Sequence, residues 1–130
     1  IKSAFSLAEK FNAKLHILNS QLNLTSPEER LMSRISVKQR IDENKELAER
    51  IKLRISEVVH ELDVKIQYSF LLREGAPEKV IIDVVTELNT DLIVMGSNGA
   101  DQISDYFLGT TATHVIKSSH CPVLVIPTLK

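Results

Sequence analysis

The sequence predicts an α/β protein built on a parallel sheet. Three observations lead there. Helix-period and strand-period stretches alternate along the whole chain, in the order α-β-α-β-α-β-α-β. Asp91-Leu92-Ile93-Val94-Met95-Gly96 is an unbroken apolar run ending on glycine, the pattern of a buried parallel strand. The 130 residues are enough for one domain with its own core, so neither disulfides nor a metal is needed to fold it. Parallel neighbours require crossovers, and these are right-handed.

Each element has its own reason. Ile1 to Asn12 sets Ala4, Phe5, Ala8 and Phe11 at helical spacing. Lys14 to Leu18 is short, apolar and bounded by polar residues, hence a strand. Ser26-Pro27-Glu28-Glu29 opens a helix, with serine as N-cap, proline first and acids in the first turn. The stretch that follows keeps Ile41, Ala48, Ile51, Ile55, Val58 and Leu62 on one stripe. Its eight basic and eight acidic residues between Glu28 and Leu62 read as a solvated face. Val64 to Leu72 is β-rich and predicts a second strand. Glu74-Gly75-Ala76-Pro77 is a turn into a helix whose inner face is Val80, Ile81, Val84, Val85 and Leu88. After the strand ending at Gly96, residues Ile103 to Ser118 contain a further helix with Val115 and Ile116 on its apolar side. Val123 to Ile126 is the last strand, set off by Pro122 and Pro127.

Composition narrows the function. Sixteen Lys and Arg stand against 17 Asp and Glu, a net charge of −1, so nucleic acid is not a favoured partner. No apolar run approaches the ~20 residues of a membrane span, and the N-terminus lacks a signal-peptide pattern. The lone Cys121 excludes an internal disulfide and fits a reducing compartment. The chain starts at Ile1 and is read as N-terminally truncated, one domain over 1–130.

Three of the four glycines, Gly96, Gly99 and Gly109, fall in one 14-residue window that begins where the apolar strand ends. Ligands in open α/β sheets bind beyond the carboxyl ends of the strands. Glycines there admit a ligand close to the backbone, and Gly109-Thr110-Thr111 offers amides and hydroxyls to phosphate at a helix start. The spacing is neither a Walker A loop nor G-x-G-x-x-G. Spacing alone leaves open a second reading, in which Gly96 and Gly99 shape a turn and Gly109 breaks a helix.

Gly96, Gly99, Gly109 and Thr110 match G-x2-G-x9-G-(S/T), and here the chain resembles the universal stress protein family. Residues 91–96 before the motif and Cys121 to Pro127 after it match as well. So do residues 8–16, which look like the family's first helix and second strand, and the Gly75 turn. The resemblance implies an open parallel sheet with helices on both faces, order 3-2-1-4-5. The family's strand 1 and its adenosine-holding aspartate are expected to be absent from this chain, which would leave the strands on either side of it facing a gap. It also implies a regulatory domain in the cytoplasm binding ATP or a related adenine nucleotide, with Mg²⁺ or Mn²⁺ accompanying the nucleotide. Amides of Gly96, Asn98, Gly99 and Gly109 would hold phosphates and ribose, beside Ser97, with Thr110 and Thr111 donating hydroxyls. Nothing in the motif activates a water, so the expectation is no enzyme, or at most a slow ATPase. Asp101 and Asp105, inside the motif, oppose a polyphosphate unless a metal lies between. They favour the alternative of a nucleotide-free dimerisation or partner-binding module.

Other residues predict less. His114, His120 and Cys121 match no common metal spacing, so no metal ligands are assigned within the protein. His16 and His60 read as structural, and Cys121 as a small buried hydrophobe. No catalytic constellation stands out. The uncharged edge strand Val123–Ile126 is expected to pair with a second copy in a two-fold homodimer, its prolines limiting further growth. The resemblance implies the same dimer.

Overall fold

The computed structural model describes residues 1–21, 34–97 and 108–127, the side chains of 34–41 excepted. The elements are α1 (Lys2–Phe11), β1 (Leu15–Gln21), α2 (Arg34–Leu62), β2 (Tyr68–Glu74), α3 (Pro77–Leu88), β3 (Ile93–Gly96), α4 (Thr110–Ser118) and β4 (Val123–Ile126). The alternation expected from sequence is the observed one. The helix start expected at Ser26 lies outside the described residues. The chain forms two compact units, Ile1–Glu74 and Gly75–Lys130.

In the first unit β1 and β2 pair in parallel, Leu15 opposite Tyr68 through Gln21 opposite Glu74. Side chains alternate across the strands, so Leu15, Ile17 and Phe70 share a face. They pack there with Phe5 of α1 and with Ile55 and Val58 of α2, the centre of this unit's core. Phe5 meets Tyr68 edge-on, ring centroids 5.5 Å apart. On α2 the inward residues Ala48, Ile51, Ile55, Val58 and Leu62 recur at three- and four-residue steps, the predicted stripe. The strand expected from Val64 begins instead at Tyr68. The reason is its partner: the β1 ladder opens at Leu15, whose N–H goes to the Gln67 carbonyl at 2.9 Å. Before it the chain is still closing the end of α1, so Val64 and Ile66 have no strand to pair with and simply pack on the core.

Helix α1 stops at Asn12, which adopts the left-handed conformation (φ 52°). The N–H of Asn12 goes to Glu9 and that of Ala13 to Ala8, satisfying carbonyls of the last turn. Helix α3 ends the same way at Asn89 (φ 52°), with bonds from Asn89 to Thr86 and from Thr90 to Val85. Each asparagine turns the chain from a helix into the strand that follows.

The second unit pairs β3 with β4 in parallel, Ile93 opposite Val123 through Gly96 opposite Ile126. Helices α3 and α4 pack together, burying Val80, Val84, Ala112 and Val115. Gly75 takes φ 134°, a conformation open to glycine, and turns the chain into Pro77 at the start of α3. Strand β3 is less enclosed than its apolar run suggests: Ile93 is buried, Val94 and Met95 are half-buried, and Leu92 is exposed. Among the described residues β3 has one ladder partner, β4, so its other edge has no strand against it in this unit.

Candidate functional site

The carboxyl end of β3 and the start of α4 meet in the second unit. The N–H of Ser97 donates to the Ile126 carbonyl at 3.1 Å, extending the β3–β4 ladder by one step. The Ser97 carbonyl accepts the Gly109 N–H at 2.8 Å. The Gly109 carbonyl in turn receives the Thr113 N–H at 3.0 Å, the first bond of α4. The Thr113 hydroxyl sits 3.5 Å from the Leu108 carbonyl. Backbone bonds thus draw Gly96, Ser97, Gly109, Thr110 and Thr111 to one place. Asn98 and Gly99, with Asp101 and Asp105, lie outside the described residues.

Gly109 is buried and is the N-cap of α4 at φ −58° and ψ 158°. Its φ is open to any residue, so conformational freedom does not explain glycine here. Its amide is engaged with Ser97, so what it offers a ligand is the room of a missing side chain. The next three residues, Thr110, Thr111 and Ala112, form the first turn of α4. The first N–H groups of a helix have no partner inside it. Among the described residues no side chain caps α4, and no acidic residue stands in its first turn. The N–H groups of Thr110, Thr111 and Ala112 therefore form a small positive end suited to an anion. Thr110 is exposed and Thr111 half-buried, so hydroxyls stand beside those amides. This end suits a phosphate group.

The remaining candidates lie elsewhere. His114 and His120 are exposed, and among the described residues no three His, Cys, Asp or Glu gather as metal ligands. Cys121 is half-buried beside Ser119, whose hydroxyl donates to the Cys121 carbonyl at 2.8 Å and accepts the Cys121 N–H at 3.1 Å. This closes the turn between α4 and β4. His16 faces Ser69 across the β1–β2 pair, Nδ1 to Oγ 2.7 Å. One polar group escaped the sequence reading: Asn19 on β1, whose Oδ1 is buried with no partner among the described residues. An asparagine in an apolar–polar alternation gives no signal that its face is the inner one. No described helix is long and apolar enough to cross a membrane.

The described residues form an α/β protein with parallel strand pairs, in which the start of α4 lies beside the end of β3. The family model for universal stress proteins matches residues 1–127, and the chain belongs to that family. Universal stress protein MJ0531 of Methanocaldococcus jannaschii is 31% identical over 128 residues, covering 96% of this chain and 71% of that protein. Matches to other curated universal stress proteins take in 17% to 60% of their length. Universal stress protein UspA from Lactobacillus plantarum has a similar fold, TM-score 0.79 at 20% identity, over 95% of this chain and 84% of that one. A family protein from Arabidopsis thaliana solved with AMP bound matches at TM-score 0.56 and 22% identity, over 96% and 76%. A universal stress protein in complex with cAMP matches at 0.59 and 22%, over 98% and 84%.

Proposed function

We propose that this chain is a stress-response regulatory domain that binds ATP or a related adenine nucleotide, its phosphates at the start of α4. The observation that carries the reading is the closure of Gly109 onto Ser97, which sets the start of α4 beside the end of β3, where no described side chain caps the helix. The relatives solved with AMP and with cAMP support the same ligand class. Gly96, Ser97, Asn98 and Gly99 would complete the phosphate and ribose contacts. Asp101 and Asp105 sit in the same loop of sequence, and Mg²⁺ arriving with a polyphosphate would offset their charge. The protein acts by binding, with at most slow hydrolysis. It is read as one domain over 1–130, since the family match runs through both units. It is also read as a cytoplasmic homodimer paired along β4.

Gly109→Val would place a branched side chain where phosphates pass and is expected to abolish binding. Calorimetry with ATP on parent and variant checks this, and equal affinities would move the site elsewhere. Mass spectrometry of small molecules released on denaturing freshly purified protein tests the ligand class. A second reading, a nucleotide-free pairing module, is favoured by Leu124, 37% exposed on β4. An empty protein that dimerises and ignores adenine nucleotides would select it.

A further inference from the structure

Charge is unevenly shared between the two units of this chain. Ile1–Glu74 carries 13 Lys and Arg against 11 Asp and Glu, and Gly75–Lys130 carries three against six. The unit that holds the candidate site is therefore the negative one. Its sequence has no arginine, and its basic residues are Lys79, Lys117 and Lys130. Lys79 follows Glu78 near the start of α3. Lys117 stands in the last turn of α4, about 10 Å along the helix from Thr110. Lys130 lies outside the described residues.

The stretch of sequence inside the glycine motif adds to this imbalance. The Gly109 N–H meets the Ser97 carbonyl at 2.8 Å, so residues 98–108 leave from and return to one junction. Their charged residues are Asp101 and Asp105, with no lysine, arginine or histidine among them. Asp101 is four residues from Ser97, and Asp105 is four residues from Gly109. Four residues of chain reach about 14 Å at most, so the backbone of neither aspartate can stand farther than that from the junction. A phosphate beside Ser97 and Gly109 would meet neutral peptide N–H groups and two tethered carboxylates, with no cation in the stretch between to offset them.

We propose that Asp101 and Asp105 make this chain select its adenine nucleotide by charge, taking a ligand with a single phosphate, such as AMP, over metal-free ATP. The inference rests on the nucleotide reading above. ATP has two more phosphates than AMP and carries about two more negative charges near neutral pH. Two like unit charges about 14 Å apart in water weaken an affinity about 1.6-fold at low salt. Two carboxylates against two further charges make four such pairs, together about fivefold or more, and shorter separations raise the factor. Mg²⁺ on the triphosphate cancels charge and salt screens it, so each narrows the difference. Any contacts that the further phosphates make are shared by the parent and by a variant with both aspartates neutralised. Comparing the two ligands across those two proteins therefore isolates the repulsion.

The test is calorimetry on the full chain at low salt, with AMP, with ATP and a chelator, and with ATP and Mg²⁺. AMP is expected to bind about fivefold or more tightly than metal-free ATP. The double variant Asp101→Asn, Asp105→Asn is expected to bring the two affinities together by about that factor, chiefly by strengthening ATP. Added sodium chloride and Mg²⁺ are each expected to narrow the gap in the parent. Should the double variant fail to fold, the salt series on the parent decides, and a gap that does not shrink with salt overturns the proposal. Metal-free ATP binding the parent as tightly as AMP, or a gap unchanged in the double variant, also overturns it while the nucleotide reading stands. If neither nucleotide binds parent or variant, both fall.

Discussion

At the scale of single residues, polar groups show where the first unit gives up stability. Asn19 lies on the β1 face that also carries Leu15 and Ile17, and its Oδ1 is buried with no partner among the described residues. An unpaired buried acceptor costs about 1–3 kcal/mol, and an apolar residue of the same shape removes that cost. Asn19→Leu is expected to raise the melting temperature, which calorimetry or circular dichroism would show; a fall would mean that Asn19 has a bonded role. The Lys2–Glu61 pair joins α1 to the end of α2 at 2.8 Å. The Lys2 ammonium, by its hydrogen bond and then by its charge, holds the Glu61 carboxyl below the ordinary carboxylate value. A carboxyl held low stabilises the fold above its unfolded value, and that contribution is lost as pH falls through the folded one. Both groups are exposed, so the effect on stability is small. Lys2→Met should move the Glu61 titration up toward the ordinary value, read from its carboxyl resonance; an unmoved titration would remove the pairing.

At the scale of elements, α2 separates a face that matters from one that does not. Ile55 is 3% exposed between Phe5 and Val58, and Leu53 is 63% exposed. Ile55→Ala is expected to cost about 2–5 kcal/mol, because a cavity remains in a packed core. Leu53→Ala should stay within about 0.5 kcal/mol. Chemical denaturation of the two variants measures the contrast, and similar losses would contradict the stripe. That stripe was legible in the sequence because burial on one side of a helix imposes its period on residue type. The start of β2 was not legible, because it depends on where β1 begins to pair, and Val64 and Ile66 carry strand-like side chains without strand partners. The left-handed caps at Asn12 and Asn89 were not legible, since asparagine in a polar stretch is as common in a loop as at a helix end. At the candidate site the glycine spacing pointed to the stretch between β3 and α4. It did not show that the Gly109 amide is spent on Ser97, a bond that only the folded backbone reveals.

At the scale of the whole molecule, the proposed homodimer would meet along the outer edge of β4. Val123 and Val125 direct their N–H and C=O groups outward, by the alternation fixed by the bonds at Pro122 and Ile126. Leu124, between them, is 37% exposed and bonds toward β3. In an antiparallel two-fold pair, Val123 of one copy lies opposite Val125 of the other and exchanges both hydrogen bonds with it. The axis then passes beside Leu124, which faces its own copy as a non-hydrogen-bonded pair with Cα atoms about 4.5 Å apart. That separation lies within the range a disulfide spans, about 4.4–6.8 Å. Leu124→Cys, made in a background where Cys121 is replaced by Ser, is therefore expected to cross-link into a covalent dimer under mild oxidation. Val123→Cys in the same background is expected to remain uncrosslinked, because two residues separate it from its own copy in this register. Non-reducing electrophoresis distinguishes them. A cross-link at residue 123 and none at residue 124 would shift the register, and none at either position, with a monomeric parent at tens of micromolar by light scattering, would remove β4 from the interface. Shifting the axis by one residue would bring Val123 or Val125 onto itself as a hydrogen-bonded pair, and Leu124 would then lie opposite Pro122 or Ile126 of the other copy and escape cross-linking to itself.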